Sequence, residues 1–193
     1  MNNKVKNMVG IGLFTAIVVV LQFLGGGIKV MGMFSISLVL VPIVVGSAVY
    51  GWKAGAILGA AFGFAVLLSG DATSFLVVDP LPFGMATILV VMSKGTLCGL
   101  TAGLMYKLLS KWNRIVAVVV SGIVCPIVNT GVFLIGCQVF FLPTITEWAL
   151  SMGYPNAANY MFFGLAGINF LIELGVNIVL SPIILRIINL GRK

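Results

Sequence analysis

The chain has 193 residues, 61% of them hydrophobic and 8% charged, with a formal net charge of +7 and a mean hydropathy of +1.22. These values exclude an ordinary soluble domain and mark an integral membrane protein in contact with the lipid bilayer. The basic residues form no stripe with interleaved aromatics, which argues against nucleic acid as a partner, and the absence of histidine removes the commonest metal ligand and catalytic base.

At roughly 20 residues per crossing, the chain has room for about six spans joined by short loops. The apolar runs fall at 8–25, 33–50, 53–70, 84–107, 114–141 and 160–188. No run alternates apolar and polar residues as a membrane barrel would, so the expected fold is an all-α membrane protein, a single six-helix transmembrane domain over 1–193. The first run is as long as a span and lacks a convincing cleavage site, so it stays as the first helix; Gly12 and Ala16 make a short small-residue ridge on it. Glycine recurs at every fourth position in the third run, at Gly51, Gly55, Gly59 and Gly63, and again in the fourth, at Gly95, Gly99 and Gly103. Two such ridges on adjacent spans can pack together, so internal packing is their expected use.

The same pass along the chain isolates its polar groups. Lys94 stands near the middle of the fourth run, Asn129 and Thr130 near the middle of the fifth, just past Pro126, and Asn169, Glu173 and Asn177 form a stripe at four-residue intervals in the sixth. Pro126 lacks a backbone donor and can bend its helix. Cys98, Cys125 and Cys137 lie within spans without paired metal or redox spacing and read as free thiols.

Orientation follows from charge. With the N-terminus inside, Lys4, Lys6, Lys53, Lys107, Lys111, Arg114, Arg186, Arg192 and Lys193 all fall on or near the cytoplasmic face, and Lys29 alone falls outside. The expected topology is N-in and C-in. Tyr50, Trp52, Tyr106 and Trp112 gather at the inner ends of the runs, and Trp148, Tyr154 and Tyr160 at the outer ones, as an aromatic belt requires. Asp71, Asp79 and Glu147 go to the outer connections, the longer ones, whose glycines and prolines could close over a site or could be plain loop.

Lys94 and Glu173 remain as charges within the bilayer, where an ionisable group needs a partner or a job. Counted at about 1.5 Å per residue, Lys94, Asn129 and Glu173 lie roughly 15–20 Å deep, so they can meet. Two readings stay open. Lys94 and Glu173 form a buried ion pair satisfied by neighbouring amides, or Lys94, Asn129, Thr130, Asn169 and Glu173 floor an outward-opening pocket for a small polar solute. The few aromatics placed deep in that site disfavour a flat-ring ligand. No set of catalytic or metal-ligating residues is evident, which weighs against an intramembrane enzyme; a stand-alone secondary transporter is a weaker match, without broken helices or an evident repeat.

The order and spacing of Gly12-Leu-Phe-Thr-Ala16, Tyr50-Gly-Trp-Lys-Ala-Gly55, Ser69-Gly-Asp71, Lys94-Gly-Thr-Leu-Cys-Gly99 and Pro126-Ile-Val-Asn-Thr-Gly131 resemble the substrate-binding S-components of energy-coupling factor vitamin transporters. The resemblance covers almost the whole chain. It implies a multi-pass subunit of a bacterial plasma membrane that captures a water-soluble vitamin and binds no cofactor itself. It further implies a membrane-embedded T-component and two cytoplasmic ATPases as partners, ATP being hydrolysed by those ATPases. The family's first-span motif, which contacts the T-component, falls on Gly12 and Ala16, with Gly in the place where Ala is common. The set looks most like the pantothenate-type branch; thiamine, folate and riboflavin stay open.

Overall fold

A chain in lipid must satisfy its backbone hydrogen bonds within each segment, and the observed architecture follows that rule. The structure, a computed structural model, describes residues 3–25, 29–30, 34–35 and 38–191. In chain order these form α1 (Asn3–Gly25), β1 (Lys29–Val30), β2 (Phe34–Ser35), α2 (Leu40–Tyr50), α3 (Trp52–Leu68), α4 (Thr73–Val77) and a 3-10 turn at Pro82–Gly84. There follow α5 (Met85–Leu109), α6 (Arg114–Phe140), α7 (Leu142–Ser151), α8 (Ala157–Asn159), a π-helical segment at Tyr160–Gly167, and α9 (Ile168–Gly191). The stretches Lys4–Gly25, Pro82–Leu109, Arg114–Phe140 and Ala157–Ile188 are long and apolar enough to cross a membrane.

The expected second span differs most from the structure. Its helix begins at Leu40 rather than near residue 33, because β1 and β2 pair antiparallel ahead of it, Lys29 with Ser35 and Val30 with Phe34. Hydropathy counts Phe34 toward a span, yet Phe34-Ser35-Ile36-Ser37 alternates apolar and polar residues with the period of a strand. The 11 residues of α2 and the 17 of α3 rise only about 16 and 26 Å, short of a hydrocarbon core of about 30 Å. The connections expected as loops also hold helices, α4 in one and α7 in the other. The glycine-rich stretch at 26–28 and 31–33 and the terminal Arg192 and Lys193 lie outside the described residues.

Local chemistry sets the breaks. Gly51, at φ +91, supplies a backbone conformation closed to most side chains and separates α2 from α3. The Asn113 side chain accepts from the amides of Ile115 and Val116, at 2.8 and 3.3 Å, and so starts α6. That helix then runs through Pro126 to Phe140.

The glycine ridges do pack together. A Cβ added at Gly59 would strike the Gly95 carbonyl, one at Gly95 the Gly59 carbonyl, and Gly55 and Gly99 oppose each other in the same way. The backbones of α3 and α5 therefore touch directly, a contact only glycine permits. By contrast, an added Cβ at Gly12 meets nothing within 4 Å. α1 sits at the margin: 11% of its apolar stretch is buried, against 39% in that of α5. Two buried clusters fill the bundle, one around Leu40, Ile43, Leu58 and Ile184, the other around Phe75, Phe141, Ile145 and Tyr160.

Gly59→Ala and Gly95→Ala are expected to destabilise the protein by about 1–3 kcal/mol, the usual cost of overpacking, although alanine is the better helix former by about 1 kcal/mol. Gly12→Ala should be neutral or slightly stabilising. Thermal denaturation of the purified variants in one detergent checks the contrast.

Candidate functional site

Where the two clusters meet, the bundle holds a cavity of about 80 Å³, room for several water-sized groups. Lys94 of α5, Asn129 of α6, and Asn169 and Glu173 of α9 all line it, as their depths in the sequence suggested. Thr130 does not. Successive helical residues diverge by about 100°, and Thr130 lines an adjoining crevice of about 50 Å³ that also meets Lys94, Asn129 and Asn169. Asn177, one turn beyond Glu173, is buried outside the cavity, and its Nδ2 donates to the Glu173 backbone oxygen at 2.8 Å.

The two membrane-embedded charges share the cavity without pairing. The Lys94 Nζ lies 5.2 Å from the centre of the Phe133 ring and 5.8 Å from that of Phe62, within range of cation–π attraction. The Glu173 Oε1 accepts from Asn169 Nδ2 at 3.5 Å, a long contact, and its Oε2 meets no hydrogen-bond partner. Neither carboxylate oxygen accepts from Lys94, so the direct ion pair considered from the sequence is not formed. With its Nδ2 committed to Glu173, Asn169 turns its Oδ1 elsewhere; that atom and Asn129 Oδ1 are likewise buried without a partner. The floor of the cavity thus carries three unmet acceptors, an uncommon concentration for a folded protein.

Sequence reasoning missed the other half of the lining. Gln22 of α1 and Asp71, from the turn after α3, both reach the cavity. The Gln22 Nε2 donates to Ser69 Oγ at 3.3 Å and to the Asp71 carboxylate, which ties α1 to that turn. Gln22 is the one amide in the apolar run 8–25, a signal that could have found it; Asp71 read as an ordinary outer-loop charge. The expectation of few aromatics is overturned, because Phe62, Phe75, Phe133 and Phe141 all line the cavity. Phe75 belongs to α4 and Phe141 to the junction of α6 and α7, places that lie at the edge of the bilayer in a linear count. Phe75 packs edge-on against Phe133 and Phe141, with ring centres 5.6 and 5.2 Å apart, and against Trp148 of α7 at 5.5 Å, closing that end of the cavity.

Asp79 holds the segment before α5. Its carboxylate accepts from the amides of Leu81 at 2.8 Å, Thr87 at 2.7 Å and Ala86 at 3.4 Å. Burial pushes this carboxyl up, but the hydrogen bonds from Thr87, Leu81 and Ala86 outweigh it and hold Asp79 below its ordinary value of 3.8.

The profile of the family described as ECF transporter, substrate-specific component, matches residues 6–185. The chain belongs to this family. No curated protein and no solved structure matches it. This S-component is therefore a multi-pass membrane protein and the substrate-binding subunit of an ECF transporter, in a family whose members are binding subunits rather than enzymes.

The Asp79 contacts give a pH prediction for the S-component. A depressed folded value means that their stabilisation is complete above the ordinary value of 3.8 and is lost as pH falls through the lower folded one. The melting-temperature gap between the native protein and Asp79→Ala is expected to hold steady near neutrality and to close below that point. A gap unchanged into strong acid would contradict it.

Proposed function

We propose that the chain is the high-affinity subunit through which a water-soluble vitamin or its precursor enters a bacterial cell. It works in the plasma membrane with a T-component and two cytoplasmic ATPases, and the cavity is its substrate site. The observation that carries this reading is the set of unmet acceptors Asn129 Oδ1, Asn169 Oδ1 and Glu173 Oε2 in one cavity with the unpaired Lys94 ammonium. A solute that offers hydroxyl or amide donors to the floor and an anionic group to Lys94 would satisfy them all at once.

Pantothenate has that chemistry. Its hydroxyls and amide N–H are donors for the floor, its carboxylate suits Lys94, and its dimethyl group suits the phenyl rings. Thr130 would act from the adjoining crevice. A second reading, a cationic aromatic vitamin such as thiamine, draws support from the free Glu173 oxygen and from the phenylalanines that line the cavity.

Orientation draws support from the distribution of charge. Tyr50, Gly51, Tyr106 and Lys107 border one crevice, so the α2–α3 turn and the end of α5 lie together, and Arg114 starts the next helix there. Phe75 against Trp148 joins the connections bearing Asp71, Asp79 and Glu147 at the other end. Six crossings, with α2 and α3 as the short ones and both termini cytoplasmic, fit this arrangement. Gly12 and Ala16 are exposed on α1, where a partner helix of the T-component could approach closely.

A thermal-shift screen against water-soluble vitamins tests the reading. A true substrate at 100 times its Kd should stabilise the protein by about 2.7 kcal/mol, and no shift with any vitamin would contradict it. Lys94→Ala should weaken binding about 10- to 100-fold, the scale of a hydrogen bond to a charged group. Gly12→Trp or Ala16→Trp should abolish copurification with a T-component and leave vitamin binding intact; lost binding would assign those residues to the fold instead.

A further inference from the structure

On the flank of the bundle, α6 and the π-helical segment part over a second hollow, larger than the cavity. This groove measures about 560 Å³ and is lined by Ile127, Leu134, Phe162, Phe163, Phe170 and Leu171. Gly131 also borders it and leaves it open: an added Cβ there would meet nothing within 4 Å. Thr130 and Ala166 line both the groove and the crevice of about 50 Å³. That crevice in turn shares Lys94, Asn129, Phe133 and Asn169 with the cavity. The three hollows therefore adjoin in series, from the polar floor out to the flank.

What covers the groove follows from its medium. Its walls belong to Arg114–Phe140 and Ala157–Ile188, two of the stretches able to cross the membrane, and Ile127, Phe163 and Leu171 are exposed there. Among the described residues that line it none is charged, and Thr130 alone is polar. An apolar hollow of this kind excludes water, and left empty it would forfeit the dispersion contacts of its walls. Hydrocarbon is the filling that the bilayer supplies. From Ile127, midway along α6, to Leu134 the groove runs about 10 Å, less than the depth of one leaflet, about half of a 30 Å core. A single chain can fill it without crossing the midplane. At its inner wall such a chain would also keep mobile lipid from Lys94, Asn129 and Asn169, groups that are costly to expose to hydrocarbon. We infer that the groove holds one acyl chain of a bilayer phospholipid, which closes the flank of the cavity between α6 and the π-helical segment. With no charged group in the groove, the chain is recognised and the headgroup is not. The inference needs the hollow and the bilayer, and does not depend on which solute the cavity takes.

The test follows fluorescence quenching by phosphatidylcholine brominated on its acyl chains, added to the purified protein in detergent. In a chain carrying Trp52→Phe, Trp112→Phe and Trp148→Phe, Phe162→Trp puts a reporter in the groove and Ile135→Trp puts one on α6 outside it. The native side chains at these positions are similarly exposed, at 62% and 65%. The groove reporter is expected to reach half-quenching at a lipid concentration about tenfold lower than the other, and brominated phosphatidylglycerol should act alike. Gly131→Leu fills the groove and should bring the two concentrations together without lowering the melting temperature. Equal half-quenching at the two positions would leave the groove to an apolar arm of the solute and overturns the inference. A preference that survives Gly131→Leu, or that depends on the headgroup, overturns it as well. A second measurement uses the otherwise native chain: native mass spectrometry should find a phospholipid retained after the rest is stripped, and lost in Gly131→Leu; retention unchanged by that substitution, or none in the native chain, contradicts the inference. Neither measurement involves a vitamin, so an unsuccessful vitamin screen leaves the outcome of both unchanged.

Discussion

Gly55, Gly59 and Gly63 bring the backbone of α3 against Gly99, Gly95 and the Val91 carbonyl of α5. In a bilayer, helices are held by close packing rather than by expulsion from water, so this contact fixes how α5 is rotated as well as how near it lies. Lys94 precedes Gly95 in the chain and therefore points about 100° away from the contact, into the space shared with α6 and α9. The glycine face thus aims the one lysine in the middle of the bundle. A methyl group at Gly59 or Gly95 would part the helices and turn Lys94 with them.

The cavity that results keeps a cation and a carboxylate in common space without letting them neutralise each other. Each has partial compensation: phenyl rings beside Lys94, and the Asn169 amide on one oxygen of Glu173. Charges held this way in a low-dielectric interior are costly unless something completes their contacts. A solute with matching groups would gain the interactions that the protein leaves unmade, which favours the loaded state. Further oxygens are left unmet on Asn177 of α9 and Ser121 of α6.

Much of this was legible in the sequence. Four-residue spacing placed Asn169 and Glu173 on one face, depth counting brought Lys94 and Asn129 level with them, and paired glycine ridges pointed to internal packing. What was hidden depends on tertiary placement. Asp71 and Phe75 come from a connection whose return over the cavity has no signature in hydropathy, and Gln22 matters only because α1 lies beside that turn. Thr130 shows the opposite limit: next to Asn129 in the chain, it reaches the adjoining crevice that the two share and not the cavity. The short β pair and the late start of α2 escaped because apolar residues look alike whether the backbone is helical or extended.

An experimental structure of the protein with a vitamin that raises its melting temperature tests the central claim most directly. The account predicts ligand density in the cavity, with an acceptor of the ligand on Lys94 Nζ and its donors on Glu173, Asn129 and Asn169. A ligand bound elsewhere, with Lys94 and Glu173 joined in a direct ion pair across a closed cavity, would contradict it.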